Sequence, residues 1–378
     1  MKILFLTEFY PTTTEGDVRG GVELRTYMVS QGLAERHQVT VVAEREPETE
    51  FDSQIRKVHV VRPGPVSRYR QSGGLMNRLR YLLAARKYVL AQTPDILFAE
   101  NFGGYTIALT LPKSWRVKTI LTYHDVWIGE WVKNVGLVMG LIGEVVERMV
   151  LRREWKHYVA NSEITKKELI SHNIAEKNIS VVHNGIDIEA CAQIVPEKFD
   201  HPTIVSVGRL VKYKRLENLL RALVEVRQSV PEVRLVVIGS GPEEKRLKAL
   251  ADQLGVARQV EWRGFVTDYQ SVLAAIKGAT VFSLPSAVEG FGIVTLEAMA
   301  CGTPYVSSDI PPTREVSQGQ GGILFPVGQV TALADGLTEL LKNPAKRQQM
   351  GQSGKQRAQA YDWRALSRQL TSLVDSLA

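Results

Sequence analysis

Cysteine is nearly missing: two residues, Cys191 and Cys301, in a chain of 378. Two thiols make neither a disulfide framework nor a metal site alone, so a reducing compartment is the simpler setting. Long apolar runs are also lacking, and no segment reads as a helix able to span a bilayer. Residues 1–7, MKILFLT, hold an apolar core too short for a secretory leader and read as a first strand. Internal repeats, low-complexity tracts and recognised nucleic-acid motifs are absent as well.

What is there is ordinary globular material, 44% hydrophobic and 23% charged, which excludes wholesale disorder. The length exceeds what one hydrophobic core normally serves, so two domains are expected. The net charge of +7 is uneven. Between Asp52 and Asp95 no acidic residue occurs, while Arg56, Lys57, Arg62, Arg68, Arg70, Arg78, Arg80, Arg86 and Lys87 all do. Such a tract is either a solvated face or a field that meets an anionic membrane surface or a phosphorylated acceptor. Nucleic acid is not an expected partner.

Short β-branched strands alternate with helical stretches throughout, the pattern of parallel α/β layers. Strands are expected at 2–7, 38–43, 58–62, 96–100, 118–124 and 157–162, then at 179–183, 203–208, 234–239, 260–264, 279–284, 304–309 and 322–325. Helices are expected at 22–36, 216–229, 243–255 and 291–301, with a boundary between domains near 186–202. Ligands of open α/β sheets bind beyond the carboxyl ends of the strands, and two such domains would make a cleft. The apolar stretch 135–143 reads as a buried or groove-lining helix, an interfacial segment being the alternative. A helix over 75–90 would place Leu75, Leu79, Leu82, Leu83, Val89 and Leu90 on one face, interrupted by Arg86.

The most informative run is 285–304, PSAVEGFGIVTLEAMACGTP, in which Glu289 and Glu297 flank a Gly-Phe-Gly turn leading from a strand to a helix. Such a turn lets backbone N–H groups approach an anion where the helix dipole favours it. Two carboxylates beside a phosphate would repel it unless they grip something neutral, and sugar hydroxyls fit. After the strand at 203–208 come Arg209 and Lys214, a planar fork and a point charge suited to a diphosphate, or else two solvated loop cations. Gly20-Gly21 precedes a helix and would admit a phosphate or sugar, or serve only as a turn. Gly239-Ser-Gly-Pro242 lacks the third glycine of a dinucleotide fingerprint and reads as a tight turn lining a nucleotide pocket. His124 ends a strand, where it either meets a sugar hydroxyl or is satisfied by the fold; Asn161-Ser-Glu163 and Asn184-Gly-Ile-Asp187 read as a helix cap and a turn.

Together these pieces resemble glycosyltransferase family 4. They run in the family's order along nearly the whole chain, from Gly20-Gly21 through His124, Arg209 and Lys214, and Gly264-Phe-Val266 to Glu289-Gly-Phe-Gly292 and Glu297. The resemblance implies the GT-B fold, an α/β arrangement of two Rossmann-like domains facing across a cleft. Residues 1–188 would form the acceptor-side domain, 189–360 the nucleotide-sugar domain, and 361–378 a helix returning to the first. It also implies a retaining, metal-independent hexosyltransferase with no cofactor, using a UDP- or GDP-sugar. Arg209, Lys214 and Gly21 would bind the donor diphosphate and Glu297 the ribose. Glu289, with Gly290, Phe291 and Gly292, would hold the sugar. Gly264, Phe265 and Val266 would meet the base through backbone atoms, and His124 would stand near the reacting carbon. A clustered carboxylate pair for Mg²⁺ is lacking, which agrees with fixed cations stabilising the leaving diphosphate.

The acceptor expected is a glycan or a lipid-linked or membrane-held molecule of cell-envelope polysaccharide, lipopolysaccharide or glycolipid synthesis. The enzyme would then be cytoplasmic or peripheral on the inner face of a membrane. A sugar-nucleotide epimerase, a phosphorylase-like enzyme and a non-catalytic nucleotide-sugar-binding subunit remain as alternatives. An NAD-dependent oxidoreductase is disfavoured by the incomplete glycine pattern.

Overall fold

Runs of Val, Ile, Leu and Phe bounded by Gly, Pro, Asn and Asp become buried strands in the computed structural model, which describes residues 1–13, 20–47, 49–66 and 75–377. Arg68 and Arg70 of the basic tract lie outside the described residues. The chain divides into two compact units, residues 1–184 with 364–378, and residues 185–363.

The first unit carries β1 (Lys2–Leu6), α1 (Gly21–Ala34), β2 (Gln38–Val42), β3 (Asp52–Ile55), β4 (Val58–Val61), α2 (Leu75–Leu90), β5 (Ile96–Ala99) and α3 (Phe102–Thr110). It continues with β6 (Thr119–Tyr123), α4 (Trp131–Val135), α5 (Leu137–Leu151), β7 (His157–Ala160), α6 (Glu163–Ser171) and β8 (Ile179–Val181). Its eight-stranded sheet has the order β3-β4-β2-β1-β5-β6-β7-β8. All neighbours are parallel except β3, which pairs antiparallel with β4 at the edge. The periodicity misses β3, because Asp52-Ser-Gln-Ile55 is polar and half exposed, as an edge strand tolerates.

The second unit holds α7 (Ile188–Gln193), β9 (Thr203–Val207), α8 (Leu216–Ser229), β10 (Arg234–Ile238), α9 (Glu244–Gln253), β11 (Val260–Gly264), α10 (Tyr269–Gly278) and β12 (Val281–Leu284). There follow α11 (Ile293–Cys301), β13 (Tyr305–Ser308), α12 (Pro311–Ser317), β14 (Gly322–Phe325), α13 (Val330–Lys342) and α14 (Pro344–Ala358). The sheet order is β11-β10-β9-β12-β13-β14. Every pair in it is parallel. The central strands β9, β10, β12 and β13 are almost wholly buried and need no polar alternation, while the edge strands β11 and β14 are half-exposed.

The last helix, α15 (Trp363–Leu377), belongs to the first unit from residue 364 onward. Leu366, Leu370 and Val374 form its buried stripe. It lies so close to α1 that a Cβ on Gly32 would sit 2.5 Å from Ser367 Cβ. Asp375 pairs with Arg36 at 3.0 Å and His37 at 3.2 Å.

Two expectations about helices are corrected. On α2 the buried stripe is Tyr81, Ala85 and Val89, while Leu79 and Leu83 are exposed. These three pack with Leu4, Leu6 and Val42, and the Tyr81 hydroxyl donates to the carbonyls of Thr7 (2.5 Å) and Val42 (3.3 Å). The stretch 135–143 is not a buried helix: Val135, Leu137, Val138, Leu141 and Ile142 are all exposed. What packs inward on α5 is Gly140 and Gly143, against Val132 and Trp131 of α4, followed by Glu147, Val150 and Leu151. Among the described residues no helix is long and apolar enough to cross a membrane.

Candidate functional site

Sheet topology marks one place in each unit. In the second sheet β9 lies between β10 and β12, so the chain reverses its direction of winding there. Loops leaving neighbouring strands at such a point diverge and leave a crevice at the carboxyl ends. The loops leaving β9 and β12 are those of Arg209–Lys214 and Glu289–Gly292. Glycines fasten the neighbouring turns. A Cβ on Gly239, whose φ is +135°, would lie 1.9 Å from the Gly208 carbonyl oxygen, and one on Gly241 would lie 2.3 Å from that of Leu210. Gly208 N–H donates to Ile238 O (2.9 Å), Leu210 N–H to Ser240 O (2.9 Å) and Gly239 N–H to Gly264 O (2.7 Å). The Gly239–Pro242 turn thus joins three strand ends into one rigid rim.

On that rim the side chain of Arg209 is exposed, and among the described residues nothing pairs with its guanidinium. Lys214 Nζ donates to both carboxylate oxygens of Glu289, at 2.6 and 2.8 Å, with both side chains mostly buried. Ala287 N–H donates to Tyr213 O at 2.8 Å and fixes the two loops against each other. The expected phosphate cation and the expected sugar carboxylate therefore hold each other.

The helix after the Gly-Phe-Gly turn begins at Ile293, not at residue 291. Gly292 is left-handed, with φ +78°, and Phe291 is buried with its ring 5.7 Å from that of Tyr361. An anchored aromatic thus precedes the first turn of α11, in which Thr295 and Leu296 N–H donate to Gly292 O (2.9 and 3.3 Å) and whose positive dipole end attracts negative charge. Glu297, one turn on, is buried and accepts a hydrogen bond from Tyr269 Oη at 2.8 Å. Burial pushes its carboxyl up to about 7, the tyrosine bond opposing. Gly264 ends β11 with φ +65° and open space where a Cβ would be; Phe265 beyond it is exposed and Val266 half-buried.

In the first sheet the winding reverses at β1, between β2 and β5. Gly20, extended at φ −172°, caps α1, and Gly21 is its first residue. His124 follows β6, and its Nε2 lies 2.9 Å from the Glu100 carbonyl oxygen. A carbonyl only accepts, so Nε2 carries the proton and Nδ1 has the lone pair. Burial, assisted by the positive charge of Arg25, pushes the imidazole down to about 3, which leaves it neutral near pH 7. Glu100 is itself buried: Thr122 Oγ1 donates to its Oε1 at 2.8 Å, and Oε2, 4.0 Å from His124 Nε2, accepts no hydrogen bond among the described residues. Burial raises this carboxyl, with Arg25 opposing. Arg25 in turn donates to the carbonyls of Val182 and His183 (both 2.9 Å) and to Asn184 Oδ1 (3.0 Å).

Asn184 is therefore an anchor for a buried guanidinium, while Asp187 caps α7 through Ala190 N–H (2.9 Å) and Ser162 caps α6 through Thr165 N–H (3.0 Å). Sequence reading passed over Arg25, Glu100 and Tyr269. Only Glu100 carried a signal, a carboxylate directly after the apolar strand Ile96–Ala99. Among the described residues no group of three or more His, Cys, Asp or Glu is placed to hold a metal ion.

Two sequence families match the chain. Glycosyltransferase Family 4 matches residues 19–190 and Glycosyl transferases group 1 matches residues 187–357. A glycogen synthase of Mycobacterium tuberculosis is 30% identical over 284 residues, covering 72% of this chain and 67% of the relative. The chain belongs to glycosyltransferase family 4. This glycosyltransferase is also similar to a phosphatidyl-myo-inositol mannosyltransferase of Mycobacterium leprae, 26% identical over 377 residues, which are 96% of this chain and 94% of the relative. A GDP-mannose-dependent alpha-(1-6)-phosphatidylinositol monomannoside mannosyltransferase of Mycolicibacterium smegmatis is 35% identical over 187 residues, 46% of this chain and 48% of that one. Among solved structures, a sucrose-phosphate synthase from Thermosynechococcus elongatus superposes with a TM-score of 0.84 at 21% identity, covering 100% of this chain and 98% of that one. The Anabaena protein HepE in complex with UDP-glucose gives 0.76 at 19% identity, covering 100% of both chains. The glycosyltransferase thus has the GT-B fold, built from two parallel-sheet α/β domains.

Proposed function

We propose that this glycosyltransferase moves a hexose from a UDP- or GDP-sugar to a lipid-linked glycan acceptor, with retention at the anomeric carbon and without a metal ion. The observation that carries the reading is the Lys214–Glu289 pair beside the exposed Arg209, at the reversal point of the second sheet. An ammonium already bonded to a carboxylate can turn toward a diphosphate while the carboxylate turns to sugar hydroxyls. One contact is thereby exchanged for two, and no charge is left bare.

Arg209 and Lys214 take the donor diphosphate, with Gly21 as a further contact. Glu289 and the backbone of Gly290, Phe291 and Gly292 take the sugar. Glu297 takes the ribose, and Gly264, Phe265 and Val266 the base. His124, neutral and proton-bearing at Nε2, offers Nδ1 as an acceptor to a sugar hydroxyl. The bond from the anomeric carbon to the donor phosphate oxygen breaks as the acceptor oxygen bonds on the same face. The acceptor's proton passes to the departing phosphate, whose charge the two cations stabilise. A double displacement would need a second carboxylate as nucleophile, and Glu289 is engaged with hydroxyls in this scheme. The mannosyltransferases similar to this chain favour a lipid acceptor, in cell-envelope glycolipid or polysaccharide synthesis at the inner face of a membrane.

The test is a donor screen. UDP-, GDP- and ADP-sugars are incubated with the protein, with and without a membrane lipid extract, and nucleoside diphosphate release is followed. One donor should stand out, release should rise with lipid extract, and EDTA should change nothing. Conversion of a donor to its epimer, or phosphate-dependent release of sugar 1-phosphate, would assign the site to the epimerase or phosphorylase alternative. Binding of a donor with no turnover under any condition would make the chain a nucleotide-sugar-binding subunit.

A further inference from the structure

On α4 and α5 the usual solvent rule is inverted. Until Val150 and Leu151 turn inward at the end of α5, small and polar residues, Gly140, Gly143 and Glu147, face the protein, and most large apolar ones face out. Glu147 is held inside by Trp131 Nε1–H at 2.6 Å and by Trp127 N–H. Val138, Leu141, Val145 and Met149 recur at the three- and four-residue spacing of one helix stripe, and all are exposed. Arg152, also exposed, ends the same stripe. Leu137, with 67% of its surface open, and Val138, with 70%, are far from the norm for such side chains.

A second helix repeats the pattern. On α2, Met76, Leu79 and Leu83 are exposed at the same spacing, and exposed Lys87 ends that stripe. The helix has no acidic residue and also exposes Arg78 and Arg80. Helix α3 packs against both α2 and α5. The three helices join β4 to β5, β5 to β6 and β6 to β7, moving one way across the sheet, so right-handed crossovers set them on one face. Each runs back against the strands. The apolar starts of both stripes therefore lie toward the strand carboxyl ends, the edge that carries Gly21 and His124, and the cationic ends lie toward the opposite edge.

We infer that this helix layer is a docking surface for an anionic lipid bilayer, with the apolar stripes of α4, α5 and α2 entering its apolar boundary and Arg152 and Lys87 at their ends meeting lipid phosphates. Charge selects the occupant. A second copy would bring like charge against a cationic rim, whereas anionic headgroups complement it and the apolar residues have hydrocarbon to enter. Long basic side chains at the stripe ends extend to the phosphates while their stems cover apolar surface. The inference rests on the lipid-linked acceptor proposed above and adds the surface by which the enzyme reaches it.

The experiment uses the full chain and vesicles of phosphatidylglycerol or of phosphatidylcholine, read by co-sedimentation. The protein should sediment with phosphatidylglycerol, lose most binding in high salt and bind phosphatidylcholine at least tenfold more weakly. Leu141→Ser/Val145→Ser should weaken phosphatidylglycerol binding at least tenfold. Acceptor-free release of nucleoside diphosphate from the donor should stay within twofold of the parent. Equal vesicle binding by parent and variant, or binding by neither, overturns the inference. A concentration-dependent dimer in light scattering that the same substitutions abolish also overturns it, by giving the face to a second copy. Vesicle binding without turnover of any donor would instead leave the surface standing and remove the transferase reading.

Discussion

A carboxyl buried as deeply as Glu297 keeps its proton further up the pH scale than one in water, and two measurements should feel this in opposite directions. Its folded value of about 7 lies above the ordinary 4.5, so the folded chain holds a proton that the unfolded chain has released. The stability this gives is complete below pH 4.5 and is lost as pH rises through 7, amounting to about 3 kcal/mol in the second unit. Ribose hydroxyls, by contrast, bond best to the ionised form. We expect chemical denaturation of the second unit to become easier between pH 5 and 8, while the donor KM falls about tenfold between pH 6 and 8, following the ionised fraction. Glu297→Gln should flatten both trends; a KM that keeps its full pH dependence in that variant would take Glu297 off the ribose. At the neighbouring carboxylate, Glu289→Ala frees Lys214 for the diphosphate but removes the grip on the sugar. Transfer should fall by a factor of about 100 to 1,000 in kcat, with donor affinity by calorimetry within about threefold of the parent.

Elements record how far pattern alone reaches. The central parallel strands were legible because each is a short apolar run closed by a turn residue: β9, β10, β12 and β13 are almost wholly buried, whereas the edge strands β11 and β14 are half-exposed. The turn of Glu289–Gly292 was legible as a strand-to-helix joint, yet its helix starts two residues late, at Ile293, because Phe291 is buried ahead of it and Gly292 takes the left-handed conformation at its cap. The face of α2 was not legible: Tyr81, whose hydroxyl reaches two carbonyls, packs into the core with Ala85 and Val89, and counting leucines gives no weight to that side of the helix. Nor was the Lys214–Glu289 bond, since it joins residues 75 apart in sequence through neighbouring strands. Two substitutions probe the elements themselves. Gly239→Ala puts a methyl group 1.9 Å from a backbone oxygen at φ +135° and should cost at least about 2 kcal/mol, seen as a lower thermal midpoint and weaker donor binding together. Leu370→Ala, on the buried stripe of α15, should destabilise the first unit by about 2–5 kcal/mol in denaturant titration and leave the second unit unchanged.

At the scale of the molecule, the second unit's backbone begins and ends in one small patch. Ile186 N–H donates to Tyr361 O at 2.9 Å and Trp363 N–H to Ile186 O at 3.1 Å, a parallel bridge between the first and last residues of that unit. Residues 185–363 are thus an insertion whose two ends stay fastened by their own hydrogen bonds, and the first unit is a discontinuous domain that receives its final helix only after the insertion has been synthesised. The guest should fold without its host: expressed alone, residues 185–363 should unfold cooperatively and still bind a nucleoside diphosphate. Residues 1–184 alone should expose the groove that α15 fills, and a synthetic peptide of residues 364–377 should restore their protection from hydrogen exchange.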